Sequence, residues 1–181
     1  VIIRKLNNFF FFLIMGKIGI FYGSTEGNTE DVVEKVKDAL GDADVYNVDS
    51  ASAEDLEGYD TVILACSTWE IGELQEDWES FIDVLDDVDF SGKKVSYIGT
   101  GDADGYPDTF VDAIGIIHEK IADSGAQFFG AWPTDDYEFD ESKGVVNGKF
   151  LGLVIDEDNE SDKTDDRIAA WVAQIKGELG L

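Results

Sequence analysis
What most constrains this chain is an alternation: short runs of consecutive apolar residues, each followed by a stretch whose apolar residues recur every three or four positions. KIGIFY (17–22), TVILAC (61–66), KVSYIG (94–99) and LGLVID (151–156) are continuous rather than alternating, as expected of strands covered on both faces. Between and after them, Val32, Val33, Val36 and Leu40 mark one helix face, Phe110, Ala113, Ile114, Ile117 and Ile121 a second, and Ile168, Trp171, Val172, Ile175 and Leu179 a third. Leu74, Trp78, Phe81 and Leu85 predict a further helix over 73–85. A shorter strand is expected at Asp44–Val48, a brief helix near Ser52–Leu56 and a fifth strand at Gln127–Trp132. The acidic stretch 133–150 then interrupts that last strand as an insertion, and LGLVID resumes it. The pattern specifies an α/β fold, a three-layer doubly wound sandwich around a five-stranded parallel sheet. In such sheets ligands sit beyond the carboxyl ends of the strands, so the loops after strands one, three and four are the ones that carry chemistry.

The chain has 181 residues, which suits one domain. Residues 1–14, VIIRKLNNFFFFLI, precede the only methionine, Met15, and are read as an N-terminal extension that is not native, with a targeting remnant and a real added segment as alternatives. The domain then runs 15–181. Forty acids against thirteen Lys and Arg give a formal charge of −27. Such a field repels phosphate backbones and anionic lipid, so nucleic-acid partners are excluded; the apolar run 9–14 is too short for membrane insertion. Basic proteins are the natural partners. The single Cys66 cannot form an internal disulfide, and the single His118 cannot build a zinc site of the usual Cys/His kind; both are read as structural, and no metal is expected.

The first loop, Gly23-Ser24-Thr25-Glu26-Gly27-Asn28-Thr29, clusters hydroxyls and glycines ahead of a helix N-terminus. Two readings stay open on the residues alone: a well-capped helix, or an anion cradle without a basic residue. It is neither a Walker A loop nor a Rossmann fingerprint. The second loop, 67–75, places Trp69 at a strand tip beside Gly72, and the third, 99–108, places Tyr106 in polar surroundings. Two loop aromatics flanking an anion cradle fit a flat ring system held between them; ordinary hydrophobic mini-clusters are the alternative.

These segments carry a resemblance. The hydroxyl-rich loop 24–29, STWEIGELQEDW (67–78) and GTGDADGYPDTF (99–110) each resemble an FMN loop of the flavodoxins, in order and on the right elements. The insertion, with YEFDESK (137–143) and GLVIDEDN (152–159), resembles the one that marks the long-chain type. The resemblance implies strand order 2-1-3-4-5 and FMN as cofactor. It implies that Ser24, Thr25, Gly27, Asn28 and Thr29 hold the phosphate, that Thr68 helps close that site, and that Trp69 and Tyr106 cover the two faces of the isoalloxazine. Gly72, Gly101 and Asp102 would lie at the flavin's edge, with Thr100 and Asp108 in the same set. Glu26 departs from the pattern, which commonly has a Thr there; it is expected to face solvent and offer only its backbone N–H. Thr109 stands where related sequences often carry Asn.

What the resemblance implies is a low-potential electron carrier that has no substrate turnover of its own and can stand in for ferredoxin. Its partners would be basic redox proteins such as ferredoxin-NADP reductase or photosystem I. A monomer in the cytoplasm, or in the plastid stroma of an alga, is expected. An FMN-dependent quinone or nitro reductase is the alternative within the fold; it needs an open flavin face, which a Trp and a Tyr on opposite sides argue against. A signalling receiver would need an Asp after strand three, where Cys66-Ser67-Thr68-Trp69 stands.

Overall fold
A computed structural model describes residues 18–181; the expectations for residues 1–14, for Met15 and for the strand's start at Lys17 lie outside the described residues. Strand β1 (Ile18–Gly23) leads into α1 (Asn28–Leu40), followed by β2 (Ala43–Asn47) and the short α2 (Ala53–Glu57). Next come β3 (Thr61–Trp69), the two-residue β4 (Glu73–Leu74) and α3 (Glu76–Phe81), which runs on into a 3₁₀ turn at Ile82–Asp87. After β5 (Lys94–Thr100) and α4 (Asp112–Ile121) the chain forms β6 (Gln127–Phe128), β7 (Trp132–Pro133), β8 (Val145–Val146), β9 (Lys149–Phe150) and β10 (Leu153–Ile155). Helix α5 (Thr164–Leu179) closes the domain.

The parallel sheet runs β2-β1-β3-β5 and is completed by a strand in two pieces, β6 against the start of β5 and β10 against its end. This is the predicted order with the predicted interruption. Two boundaries differ. The fifth strand's first half ends at Phe128, because Trp132 leaves the sheet to pair with Phe150 in a separate antiparallel sheet, β7-β9-β8, made by the insertion. The helix expected over 73–85 is broken into three: Glu73 and Leu74 fold back on Trp69 and Thr68 as a ribbon, α3 starts after Gln75, and its last turn tightens to 3₁₀. The apolar spacing was real, since Trp78, Phe81 and Leu85 are all buried, but a helix and a 3₁₀ turn can share it over so few turns.

Each face of the sheet carries its own core. Ile18, Ile20, Ile63 and Ile98 meet α1 and α5, while Phe21, Val62, Leu64 and Val95 meet the layer of α3 and α4. One buried Trp anchors each face with its indole N–H satisfied by a backbone carbonyl, Trp171 on Gly130 at 2.8 Å and Trp78 on Ala65 at 2.7 Å. Cys66 lies in the same layer as Trp78; burial pushes its thiol up to about 12, so it is an inert core residue. His118 faces the sheet from α4, 3.1 Å from the Tyr97 hydroxyl, and burial lowers its pKa. The structural readings of both stand.

Candidate functional site
The carboxyl ends of β1, β3 and β5 open into one cleft. Ser24, Thr25, Glu26, Asn28 and Thr29 line it from the first loop, Ser67, Thr68, Trp69 and Glu70 from the second, and Thr100, Gly101, Asp102 and Tyr106 from the third. Eleven of the fourteen residues singled out in the sequence therefore share a single surface. Gly27, Gly72 and Asp108 are placed beside it. Gly27 is the N-cap of α1 at φ 94°, Gly72 at φ 86° is pressed against Thr109 and Asp112, and Asp108 is exposed in the third loop.

The start of α1 is not closed as a side-chain-capped helix would be. Gly27 has no side chain to cap with, and no side-chain cap hydrogen bond closes the start of α1 among the described residues. The hydroxyls serve elsewhere. Ser24 Oγ accepts from the Gly27 N–H at 3.1 Å and holds the loop's turn, while Thr29, nearly fully buried, bonds Thr100 Oγ1 at 2.9 Å and ties α1 to the end of β5. The positive end of α1 is thus left facing the cleft.

Thr68 lines the cleft and also accepts the Ala113 N–H at 3.1 Å, a side-chain cap for α4, whose own N-cap residue, Val111, sits at φ 52° and makes none. Trp69 is half-buried with its indole N–H on Ser67 Oγ at 2.9 Å, and the next residue, Glu70, adopts φ 45°. A non-glycine residue at positive φ is a local strain, and such strain concentrates where a loop must aim a side chain. Tyr106 stands 48% exposed, and Ile71, two residues beyond Trp69 in the second loop, is 81% exposed. Large apolar groups left this wet at a cleft mouth mark a surface built to be covered.

The third loop is pinned by residues that the sequence reading did not assign. Buried Asp156, just past β10, accepts the Ala103 N–H at 3.0 Å, and Asn159 Nδ2 donates to Asp102 at 2.8 Å. Asp102 also accepts the Gly105 N–H at 2.7 Å; that bond first, and Asn159 second, hold its carboxyl below the usual range. Glu157 and Asp158 of the same segment line the cleft, and Asp158 is pushed above the usual range by partial desolvation and then by Asp102, Asp156, Glu26 and Glu157. The available signal was positional: these residues follow the resumed last strand at its carboxyl end, the end at which the other three loops carry the site. Glu26 is exposed, as expected, yet it borders the cleft rather than turning wholly away.

Chemically, the arrangement offers amide and hydroxyl donors at one end, two aromatic rings at the other and no basic side chain among its lining residues. It suits a phosphorylated flat molecule better than a metal or a free carboxylate-rich ligand. The flavodoxin family profile matches residues 20–171. The flavodoxin of Nostoc sp. is 54% identical over 167 residues, covering 91% of this chain and 98% of that protein. The Helicobacter pylori flavodoxin is 48% identical over 91% of this chain and 99% of its own. Among solved structures, Fusobacterium nucleatum flavodoxin bound to flavin mononucleotide superposes with a TM-score of 0.85 at 30% identity, over 90% of this chain and 98% of that one. Cleft, sheet order, insertion and sequence agree, and the chain belongs to the flavodoxin family.

Proposed function
We propose that this protein is an electron carrier that holds FMN non-covalently in the cleft and passes electrons one at a time between redox proteins. The observation that carries the reading is the uncapped start of α1 facing a cleft whose other end presents Trp69 and Tyr106. The donor set fits the group: a phosphate needs N–H and O–H donors, which Ser24, Thr25, Asn28 and the first turn of α1 supply, and the ring needs flat apolar walls. FMN supplies the electron storage. The chain's own residues supply the tuning. Trp69 and Tyr106 exclude water from the ring, while Glu70, Asp102 and Asp158 on the cleft wall disfavour added negative charge beside them. Both effects make the second electron harder to add and keep the potential low. Glu26 and Asp158 work against the phosphate as well, so binding rests on the uncharged donors.

The wider role is part of the same proposal. A charge of −27, with Glu76, Asp77, Glu79, Asp83, Asp86 and Asp87 clustered behind the second loop, suits basic partners such as ferredoxin-NADP reductase or photosystem I. The protein would substitute for ferredoxin, as a monomer in the cytoplasm or the stroma. Among the described residues no helix is long and apolar enough to cross a membrane. Mass spectrometry of the cofactor released from the purified protein tests the core reading; FAD, or no flavin, refutes it. Stopped-flow reduction by a basic reductase tests the wider one, with rates expected to fall as salt rises from about 0.05 to 0.5 M as the Debye length shrinks. Steady NAD(P)H oxidation without a partner would instead favour the reductase alternative.

A further inference from the structure
Gln75 is only 1% exposed, although it stands where the second loop turns into α3. Its amide makes four hydrogen bonds. Oε1 accepts the backbone N–H groups of Asp77 at 3.1 Å and Trp78 at 3.3 Å, capping α3. Nε2 donates to Asp77 Oδ2 at 2.8 Å and, across the fold, to Thr25 Oγ1 at 3.1 Å. The pattern settles which end of the amide is which, because two backbone N–H groups require an acceptor and a carboxylate requires a donor. Thr25 Oγ1 therefore receives a hydrogen from Gln75 and keeps its own free. Thr25 is exposed on the cleft wall, so that hydrogen has the cleft to point into. The crossing is possible because position 23 is glycine: a Cβ there would run into Gln75 Oε1 and Trp78.

We propose that Gln75 is a positioning residue for the anion end of the cleft: by occupying a lone pair of the Thr25 hydroxyl it turns that hydroxyl into a committed donor toward the ligand's phosphate. The same bond ties the first loop to the second, so the two ends of the cleft are set together. The inference rests on the FMN reading above and adds to it a residue that lines no part of the cleft. Its physical basis is that a hydroxyl rotor free in solution spends part of its time presenting a lone pair to the anion, which is repulsive. A rotor fixed by a buried amide does not pay that reorganisation.

The test separates phosphate recognition from general integrity by comparing FMN with riboflavin, the same ring without the phosphate, in titrations of the apoprotein. Gln75→Glu keeps the capping acceptor and the side-chain size but replaces the donor with an acceptor, which draws the Thr25 hydrogen away from the cleft. FMN affinity should fall about tenfold or more while riboflavin affinity changes by less than about twofold, the scale of one hydrogen bond to a charged group. Thr25→Val leaves Gln75 and the helix cap in place and should lose the same preference, and the double variant should lose no more than either single one. Equal weakening of both flavins by Gln75→Glu would show that Gln75 supports the cleft as a whole and not its phosphate end, and would overturn the proposal. If Gln75→Glu does not fold, Thr25→Val decides, since an unchanged FMN preference in that variant overturns the proposal by itself. A wild-type apoprotein that binds neither flavin overturns the cofactor reading together with this one, whereas an unchanged preference in the variants overturns this one only.

Discussion

The two rims of the cleft each present one aromatic ring, and they are built in opposite ways. The tip of the Trp69 rim is built locally, with only its base reaching Thr109 to Ala113: Thr68 and Trp69 pair with Leu74 and Glu73, the indole bonds Ser67 two residues away, and the turn between is closed by positive φ at Glu70 and Gly72. The Tyr106 rim is braced from afar. Asp156 and Asn159 hold Ala103 and Asp102, while the insertion supplies the Asp140 and Glu141 N–H groups to the Pro107 carbonyl at 2.9 and 3.0 Å and the Ser142 hydroxyl to that of Phe110. Phe139 and Phe150 of the insertion also pack on Phe110, with ring centroids 5.6 and 6.0 Å away. One rim stores strain within a few residues; the other depends on chain contributed 32 to 57 residues later. A strained local turn is set by its own sequence, whereas a braced loop is only as good as the packing of its brace.

The largest effect should come from cutting the brace at its root. Arg167 of α5 is buried, reaches Glu160 at 2.7 Å and Asp136 at 3.0 Å, and lies 4.0 Å over the Tyr137 ring. Arg167→Ala should cost about 2 to 3 kcal/mol in urea or thermal unfolding, because a buried charged partner and a cation–π contact go together. The Trp69 rim shares none of these contacts, so Trp fluorescence quenching by bound flavin should survive; its loss would show that the rims are not independent. Tyr106→Ala comes next, with FMN affinity down about tenfold and apoprotein stability within about 0.5 kcal/mol, since the ring is half in water already. Anaerobic titration should also show the second electron added at a higher potential, and an unchanged potential would mean that the ring does not touch the flavin.

Glu26→Thr probes the cradle between the rims. Removing a carboxylate that borders the anion end should tighten FMN by about threefold, more at low ionic strength than at high. No salt dependence in that gain would mean that Glu26 acts sterically. Glu70→Gly tests the strained rim: glycine takes φ 45° without a Cβ penalty, so the apoprotein should gain about 0.5 kcal/mol. A loss instead would mean that the Glu70 side chain holds the turn. The smallest effect is expected at Asp158. Its folded carboxyl titrates above the unfolded value, so the charged form is a cost at neutral pH that disappears as pH falls through the raised value towards about 4. Asp158→Asn should therefore raise the thermal midpoint slightly at pH 7 and leave it unchanged at about pH 3 or lower, beneath both the raised folded value and the unfolded one; a gain at both would point to a cause other than charge.

How much of this was legible depends on the range of each interaction. The Trp69 and Tyr106 loops could be located because glycine and hydroxyl clusters at strand ends are local signals, and all three loops converge as the strand order requires. The insertion's small sheet was missed, although Asn147-Gly148, both at positive φ between Val145–Val146 and Lys149–Phe150, is a hairpin signal that short strands made easy to overlook. Gln75 falls at the junction of the second loop and the helix expected over 73–85 and drew no role there, because nothing in its neighbourhood along the chain mentions Thr25.

The sequence by itself determined the layer architecture, the ends of the strands at which a ligand sits and the net acidity, and the resemblance of its loops implied the strand order. Each of these follows from periodicity, composition or motifs contained within short windows. Only the tertiary structure decided that the hydroxyls of the first loop leave α1 uncapped, that Thr68 closes α4, that Asp156 and the insertion carry the Tyr106 rim, and that Gln75 hands a hydrogen to Thr25. Those are questions of which donor meets which acceptor. The number of pairings a polar side chain can make far exceeds the number it does make, and burial in the assembled core is what selects among them.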